Sequence, residues 1–551
     1  MKVPELWYKN AVIYTLNIKT FKDGDGVGDL KGLTASIDYI ASLGVTCIWL
    51  LPFYPSPDRD NGYDVQDYLN VDPAVGNLGD FADFMFQAEQ RGIRVIIDLV
   101  VNHTSIDHPW FQAAREDENS PYRDYYVWKK EKPDQPNVDI IFPHKEDAIW
   151  AYDQKAEAYY LHRYYMEQPD LNIVNPAVRE EIRKIMGFWL RMGVSGFRID
   201  AAHTLIEALA LEQEEKLDDI LHEMRDFLSI HNPEAVLVAE ATGEPQELKT
   251  FFGQGERMHM MFNFLLNQYQ VLALARKEAA PLYEGLDTMP EVPKVGQWVN
   301  FLRHHDELNL ENLDEKEQEE VFQVFAPEEN MMVFDRGIRR RMAPMLDNNR
   351  RWIEMTYSLL FSLPGAPLLR YGEEIGMGDD LSLEGRNSVR TVMQWSNNPN
   401  GGFSAASPKD LYRPAIESGE YSYEKVNVTD QFPDPDSPLN WMARLIRIRK
   451  LCPEIGWGGF TPHQTDNPGV FAHSCGWNGH EMLAVHNLSD QSCTVSITAP
   501  PFRKDNTATL FADKTYEEPI FTQKKLTVTL DGYGYRWFRI NTKREMTFYK
   551  P

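Results

Sequence analysis

Residues 94–103 read RVIIDLVVNH, and how this stretch is read decides the fold. Six of the ten are Val, Ile or Leu, a short branched run of the kind that forms a buried strand. Asp98 sits inside that run, where an unpaired carboxylate is costly, and the run exits into Asn102-His103. The strand therefore carries chemistry at its C-terminal end.

Moving outward, the same pattern returns at Ala11–Leu16, Val45–Leu51, Ser195–Asp200, Ala235–Glu240, His259–Phe264, Trp298–Arg303 and Ala366–Tyr371. Between these runs lie amphipathic stretches such as Leu30–Gly44 and Asn175–Gly193, with apolar residues at three- and four-residue steps. Strand and helix alternate, which predicts an α/β protein with a parallel sheet. Eight runs favour closure into a (β/α)8 barrel, the TIM-barrel architecture.

The interval 104–172 breaks the alternation with Pro, Asp, Tyr and Trp. An insertion after the third strand lands on the catalytic face of such a barrel, as a candidate cover for substrate. A second, charged insertion spans about 309–346. After about Cys452, short alternating runs (GVFAHSC, EMLAVHNL, CTVSITA, KLTVTL, YRWFRI) predict an antiparallel β domain. The expected domains are a catalytic barrel over 1–103 and 173–451, an inserted subdomain over 104–172, and a C-terminal β-sandwich over 452–551.

Composition narrows the partners. The 551 residues carry a formal charge of −27, which disfavours nucleic acid and anionic membranes. No run of about 18 apolar residues occurs, and MKVPELWYKN has no apolar leader core. The four cysteines show no C-x-x-C spacing. The expectation is a soluble cytoplasmic protein without a membrane partner, with a homo-oligomer left open.

Strand ends supply the functional candidates: Asn102-His103 after the third run, Arg198 and Asp200 in the fourth, Glu240 after the fifth, and His304-His305-Asp306 after the seventh. Alone, each has an ordinary reading as helix cap, ion pair or loop histidine. In a barrel they converge on one mouth. Three carboxylates there suit glycoside hydrolysis, with one as nucleophile, one as proton donor and one orienting hydroxyls.

DLVVNH, GFRIDA, VAEA and HHDE, in that order, resemble the four short regions of the α-amylase superfamily of glycoside hydrolases, over nearly the whole chain. The resemblance implies Asp200 as nucleophile, Glu240 as acid/base and Asp306 as transition-state stabiliser. It further implies that His103 and His305 bind sugar hydroxyls and that Arg198 holds Asp200 ionised. Tyr63 would stack on the ring, Asp64 and Arg390 would grip the non-reducing glucose, and Gln168 would join the substrate contacts. No cofactor is required for the chemistry. Asp23, Asp25 and Asp29 resemble a shortened calcium loop and, with Asn102, are the candidates for a structural Ca2+; a plain Gly-Asp turn is the alternative.

Longer phrases (LLPFYPSPDRDNGYD, NFLRHHDELNLENL, GIRRRMAP, VRTVMQW) resemble the branch that interconverts maltose and trehalose, with α-glucosidases next. The implied partner is a small α-glucoside, and Ala201 points to α-1,4 or α,α-1,1 linkages. The chain departs from that pattern at His304 (for Asn), Asn387 (for Asp), Val392 (for Pro) and Thr242-Gly243 (for Asn-Gln). Three readings follow: an isomerase working through a glucosyl-enzyme, an exo-acting α-glucosidase, and an inactive sugar-binding module. A lid is expected from Trp110, Phe111, Tyr125 and Trp128 meeting Arg339, Arg340 and Arg341; insertions that only pack together and stiffen the scaffold are the alternative.

Overall fold

The computed structural model describes residues 6–133, 140–205, 219–498, 506–522 and 525–541. Eight parallel strands close into a barrel: β1 (Ile13–Leu16), β2 (Cys47–Leu50), β3 (Arg94–Leu99), β4 (Gly196–Ile199), β5 (Val236–Ala239), β6 (Met260–Phe262), β7 (Gln297–Phe301) and β8 (Ala366–Arg370). Each falls within one of the eight runs picked out by their branched, apolar character, apart from Gln297 at the start of β7. Sequence neighbours pair throughout, and β8 returns to β1 through Ile13↔Leu368 and Tyr14↔Leu369.

Side chains alternate across each strand, so every second residue enters the barrel. Ile13, Trp49, Ile96, Val236, Val238, Met260, Val299 and Leu368 form an apolar plug there, and Tyr8 and Ala11 join it. Intervening residues such as Ile48, Ile97, Phe197 and Leu237 join the larger core beneath the helices. The same two-residue step carries Ile96 to Asp98, Arg198 to Asp200, and Val238 to Glu240. The parity that builds the plug thus also aims the charged residues into the mouth above it. Asp98 and Arg198 are direct cross-strand partners.

Helix Pro176–Arg191 shows how the outer layer is specified. Asn175 caps it by accepting from the Ala177 N–H, and Pro176 stands at the first turn, where a missing N–H costs nothing. Val178, Ile182, Ile185, Met186 and Trp189 bury one face. Helix Leu78–Gln90 opens with an Asn77/Asp80 capping box.

The interval 104–172 holds helix Pro109–Glu116 and a small antiparallel sheet of Trp128–Lys129, Trp150–Asp153 and Ala158–Leu161. The strand-seven insertion holds helix Glu315–Phe325 and short strands Leu308–Asn309, Met332–Val333 and Gly337–Ile338. Beyond residue 458 a five-stranded sheet faces a three-stranded one across Val485, Val495, Ile497, Val528 and Phe538, which makes a sandwich. It docks on helix Arg350–Ser362: the Ser358 hydroxyl is 3.0 Å from His486 Nε2 and accepts from Trp537 Nε1, and His473 Nε2 lies 2.8 Å from the Ser362 carbonyl. Among the described residues no helix is long and apolar enough to cross a membrane.

Candidate active site

A cavity of about 340 Å3 opens at the C-terminal ends of the strands, and Asp200, Glu240 and Asp306 all line it. That volume is at the small end of the range for small-molecule sites, roughly 300–1,000 Å3.

Arg198 organises the floor. Its guanidinium is 1% exposed and rests over the Trp49 ring at 5.2 Å. Nη1 donates to Asp98 at 2.6 Å and to Asp200, while Nη2 pairs with Glu240 at 2.5 Å. A planar fork of fixed N–H groups suits this task, and a lysine ammonium could not reproduce it. Glu240 also accepts from the Ala201 N–H at 3.1 Å, and Ala201 takes the left-handed conformation (φ 47°) that swings the chain off β4. Burial pushes Asp200 and Glu240 above the usual carboxylate range, with Arg198 pulling both back. Burial likewise raises Asp98 to about 7, against the pull of Arg198. Asp98 did not figure among the site candidates, although its place inside an apolar run was the available signal.

Asp306 titrates in the opposite direction. Burial would raise it, but Arg386, His305 and Arg390 together hold it well below the usual range. Arg386 Nη1 lies 2.7 Å and Arg390 Nη2 2.6 Å from its Oδ1, and His305 Nε2 is 3.0 Å from Oδ2. Tyr63 stacks on His305, with ring centroids 5.6 Å apart and planes 8° apart, and its hydroxyl meets His305 Nε2 at 2.9 Å. Burial lowers the pKa of His103, His304 and His305, the last to about 4, so all three present neutral imidazoles at neutral pH.

The end of the cavity is built differently from the expectation. Asp64 is fully buried and does not face the cavity; it accepts from Ser56 Oγ at 2.7 Å and from the N–H groups of Arg59 and Asp60 in its own loop. The carboxylate in the wall is Asp60, paired with Arg386 at 2.9 Å. The reason is local: the 56–64 loop folds back and uses Asp64 to close its own turns, leaving Asp60 at the tip. Arg390 reaches Asp306 from behind and donates from Nε to the His305 carbonyl. Gln168 braces Asp60 at 3.1 Å. Tyr63 and His103 line the cavity, whereas Gln168, Arg198, His305 and Arg390 stand behind it.

The lid also differs. Phe111 stacks on Trp128 and Trp110 meets Tyr125 edge-on, so these aromatics pack the subdomain itself. Arg339 binds Ser388, Arg340 pairs with Asp379, and Arg341 pairs with Glu373. The insertions touch instead through Phe142 against Phe334 (5.1 Å), Arg336 Nη2 on the Ile141 carbonyl (2.8 Å) and His144 on Asp335 (2.8 Å). Ile141, Phe142 and Arg336 line the cavity, as do Thr242, Phe264, His304 and Glu307.

The calcium candidates do not form one donor set. Asp23 accepts from the N–H groups of Asp25 and Gly26, and Asp29 caps helix Leu30–Ala35 through the Gly32 N–H at 2.5 Å. Asn102 lies elsewhere, donating to Asp170 and accepting from Thr204 at 2.6 Å. Among the described residues, three ligand-type side chains converge only at His304, His305 and Asp306.

With the geometry fixed, comparison with known proteins is informative. Residues 13–458 match the model of the α-amylase catalytic domain, and residues 479–539 match the sucrose hydrolase-like C-terminal domain. The chain is 39% identical to a trehalose synthase/amylase of Mycobacterium tuberculosis, over 97% of this chain and 90% of that one. It is 32% identical to a glucan 1,6-α-glucosidase of Streptococcus pneumoniae, over 92% and 96%. The crystal structure of an α-amylase from H. orenii superposes with a TM-score of 0.78 at 28% identity, covering 97% of this chain and all of that one.

Proposed function

The chain belongs to the α-amylase family, and from that premise we propose that it is a retaining α-glucosyl-transferring enzyme that interconverts maltose and trehalose. The observation that carries this reading is a cavity with two carboxylates on one guanidinium fork and an end stopped by the Asp60–Arg386 pair. Such an end admits one terminal glucose and no longer chain, so the enzyme acts on small α-glucosides.

In this proposal Asp200 attacks the anomeric carbon while Glu240 gives its proton to the departing glycosidic oxygen. A glucosyl ester forms on Asp200 and free glucose is released beside it. Asp306, held ionised by two arginines, offsets the positive charge that develops on the ring. Burial raises Glu240, which keeps a proton available for donation. The released glucose then turns and presents its anomeric hydroxyl, Glu240 takes the proton, and the α,α-1,1 bond forms. The Phe142–Phe334 contact keeps that glucose inside and water out.

Hydrolysis is the competing outcome, and Thr242 in the wall, smaller than the Asn of the resembled pattern, favours it by leaving room for water on the acceptor side. Intact Asp200, Glu240 and Asp306 weigh against an inactive sugar-binding module. The deciding experiment incubates the protein with maltose and isotopically labelled glucose. Trehalose carrying little label is expected; glucose as sole product would leave an α-glucosidase, and inertness toward every α-glucoside would leave a binding module. We place the enzyme in the cytoplasm, a reading supported by four unpaired cysteines.

A further inference from the structure

One arc of the cavity wall comes from three successive strands. Glu240 and Thr242 follow β5, Phe264 follows β6, and His304 follows β7. Glu240 must reach the glycosidic oxygen to protonate it, so the wall that continues from Glu240 meets the second glucose of a disaccharide. Two departures from the resembled pattern fall on this arc and work in opposite directions. Thr242 is shorter than Asn, whereas the His304 imidazole reaches further from its Cβ than a carboxamide does.

The His304 ring is fixed by its neighbours. Phe301 and Phe264 meet it edge-on at centroid distances of 5.1 and 5.7 Å, and His305 does so at 5.5 Å. Its Nδ1 accepts the Asp306 N–H at 3.1 Å. Burial pushes its pKa well below the ordinary histidine value, against the pull of Asp306, so the ring is neutral. A neutral imidazole that accepts at Nδ1 carries its one hydrogen on Nε2. Among the described residues nothing hydrogen-bonds to Nε2. Only 5% of the residue is exposed, yet Nε2 is not sealed within the protein; it opens on the cavity. A donor held rigidly among aromatic rings binds an arriving oxygen more strongly than one in water does.

We propose that His304 is a specificity-determining residue on the acceptor side, where its Nε2–H donates to a hydroxyl oxygen of the second glucose. This role rests on the chain acting on α-glucosides, and deepens that reading. His304 takes no proton and forms no bond to carbon. Its hydrogen bond survives cleavage, because the accepting oxygen is a hydroxyl and not the glycosidic oxygen. The released glucose therefore keeps one anchored point about which to turn toward the glucosyl ester. A sugar without the second ring gains nothing from His304.

The test uses the full chain carrying Asp200→Ala, which forms no glucosyl ester and so binds without turnover. Maltose and methyl α-glucoside are the probes, and the second lacks the acceptor ring. His304→Asn keeps an oxygen for the Asp306 N–H but falls short of the Nε2 position; His304→Gln restores an N–H near it. In calorimetric titrations His304→Asn should weaken maltose binding by about fivefold or more beyond any change for methyl α-glucoside, the scale of one neutral hydrogen bond. His304→Gln should bind maltose more tightly than His304→Asn. Equal losses for the two sugars would mean that His304 only shapes the cavity, and no loss for maltose that Nε2 does not touch it; either result overturns the proposal, as does the reverse order of the two variants. The isomerase reading fails differently: glucose is then the sole product from maltose, with the maltose-specific loss unchanged.

Discussion

On the cavity side of the His304–Glu307 turn, Arg198, Arg386 and Arg390 face Asp60, Asp98, Asp200, Glu240 and Asp306. On the far side, Arg303, Arg341 and Arg370 face Glu373, Glu374 and Asp379; Glu373 pairs with Arg341, and Asp379 accepts from the Arg341 N–H at 2.9 Å. The cavity set has more carboxylates than guanidiniums, five against three, whereas the set behind the turn has three of each. In the cavity the excess, together with burial, lifts Asp98, Asp200 and Glu240 and so prepares a carboxyl group to give up a proton near neutrality. Behind the turn the guanidiniums hold the carbonyls of His304 and Asp306 and do not line the cavity. The carboxylate surplus therefore lies where the groups reach a cavity, and the balanced set where they only hold the backbone.

The largest effect should come from the cavity's own reacting groups. Asp200→Ala is expected to lower kcat by about 10^4-fold or more, and Glu240→Gln by about 10^2–10^4-fold. Circular dichroism should show both still folded. A tenth of the wild-type rate in Asp200→Ala would remove the catalytic half of the comparison.

The two sides should also differ in stability. Arg198→Met strands three carboxylates and should cost about 3–5 kcal/mol in urea unfolding. Arg370→Met gives up one carbonyl hydrogen bond and strands no directly paired carboxylate, so it should cost no more than about 1.5 kcal/mol. Equal losses would show that stranding the Arg198 carboxylates costs nothing beyond one hydrogen bond.

A pH profile sharpens the cavity side further. The Glu240 carboxyl is raised, chiefly by burial and then by Asp200 and Asp306, with Arg198 opposing. As proton donor it must be protonated, so kcat/KM falls as pH climbs through its pKa; Asp200 must be ionised, which sets the acid limb. With an aryl α-glucoside whose leaving group needs no proton, the alkaline limb should fade. The same limb for maltose and the aryl substrate would take the donor role from Glu240.

The smallest effect belongs to the lid. Phe142→Ala should leave maltose consumption within about threefold, the scale of lost contact packing, while shifting product from trehalose to glucose. An unchanged product ratio would mean that the Phe142–Phe334 contact does not exclude water.

The barrel was legible in the sequence because strand burial on both faces leaves a continuous apolar run, and an acid or base at its end stands out. RVIIDLVV, GFRID and VLVAE carry that signal in a few residues each. At the closed end GYD and RTVMQW lead to the right loops, and the carboxylate and guanidinium that meet in the wall are Asp60, four residues from Asp64, and Arg386, four from Arg390. Which acid turns inward depends on how the 56–64 loop hydrogen-bonds to itself, and no spacing rule reports that. The lid was misplaced for a related reason. The conspicuous aromatics at 110–128 satisfy one another, and the contact falls to Phe142 and Phe334, which nothing in composition distinguishes.

That contact has an evolutionary consequence. Ile141, Phe142 and His144 sit on one loop insertion, and Phe334, Asp335 and Arg336 on another. Substitutions there can accumulate without disturbing the fork on Arg198 or the apolar plug. The seam still bears on bond-breaking, because the Arg386 guanidinium that pairs with Asp306 rests over the Phe142 and Phe334 rings at 5.0 and 6.0 Å. A lineage could drift between isomerase and hydrolase by changing six surface-loop codons, and a laboratory library confined to those six should travel the same road.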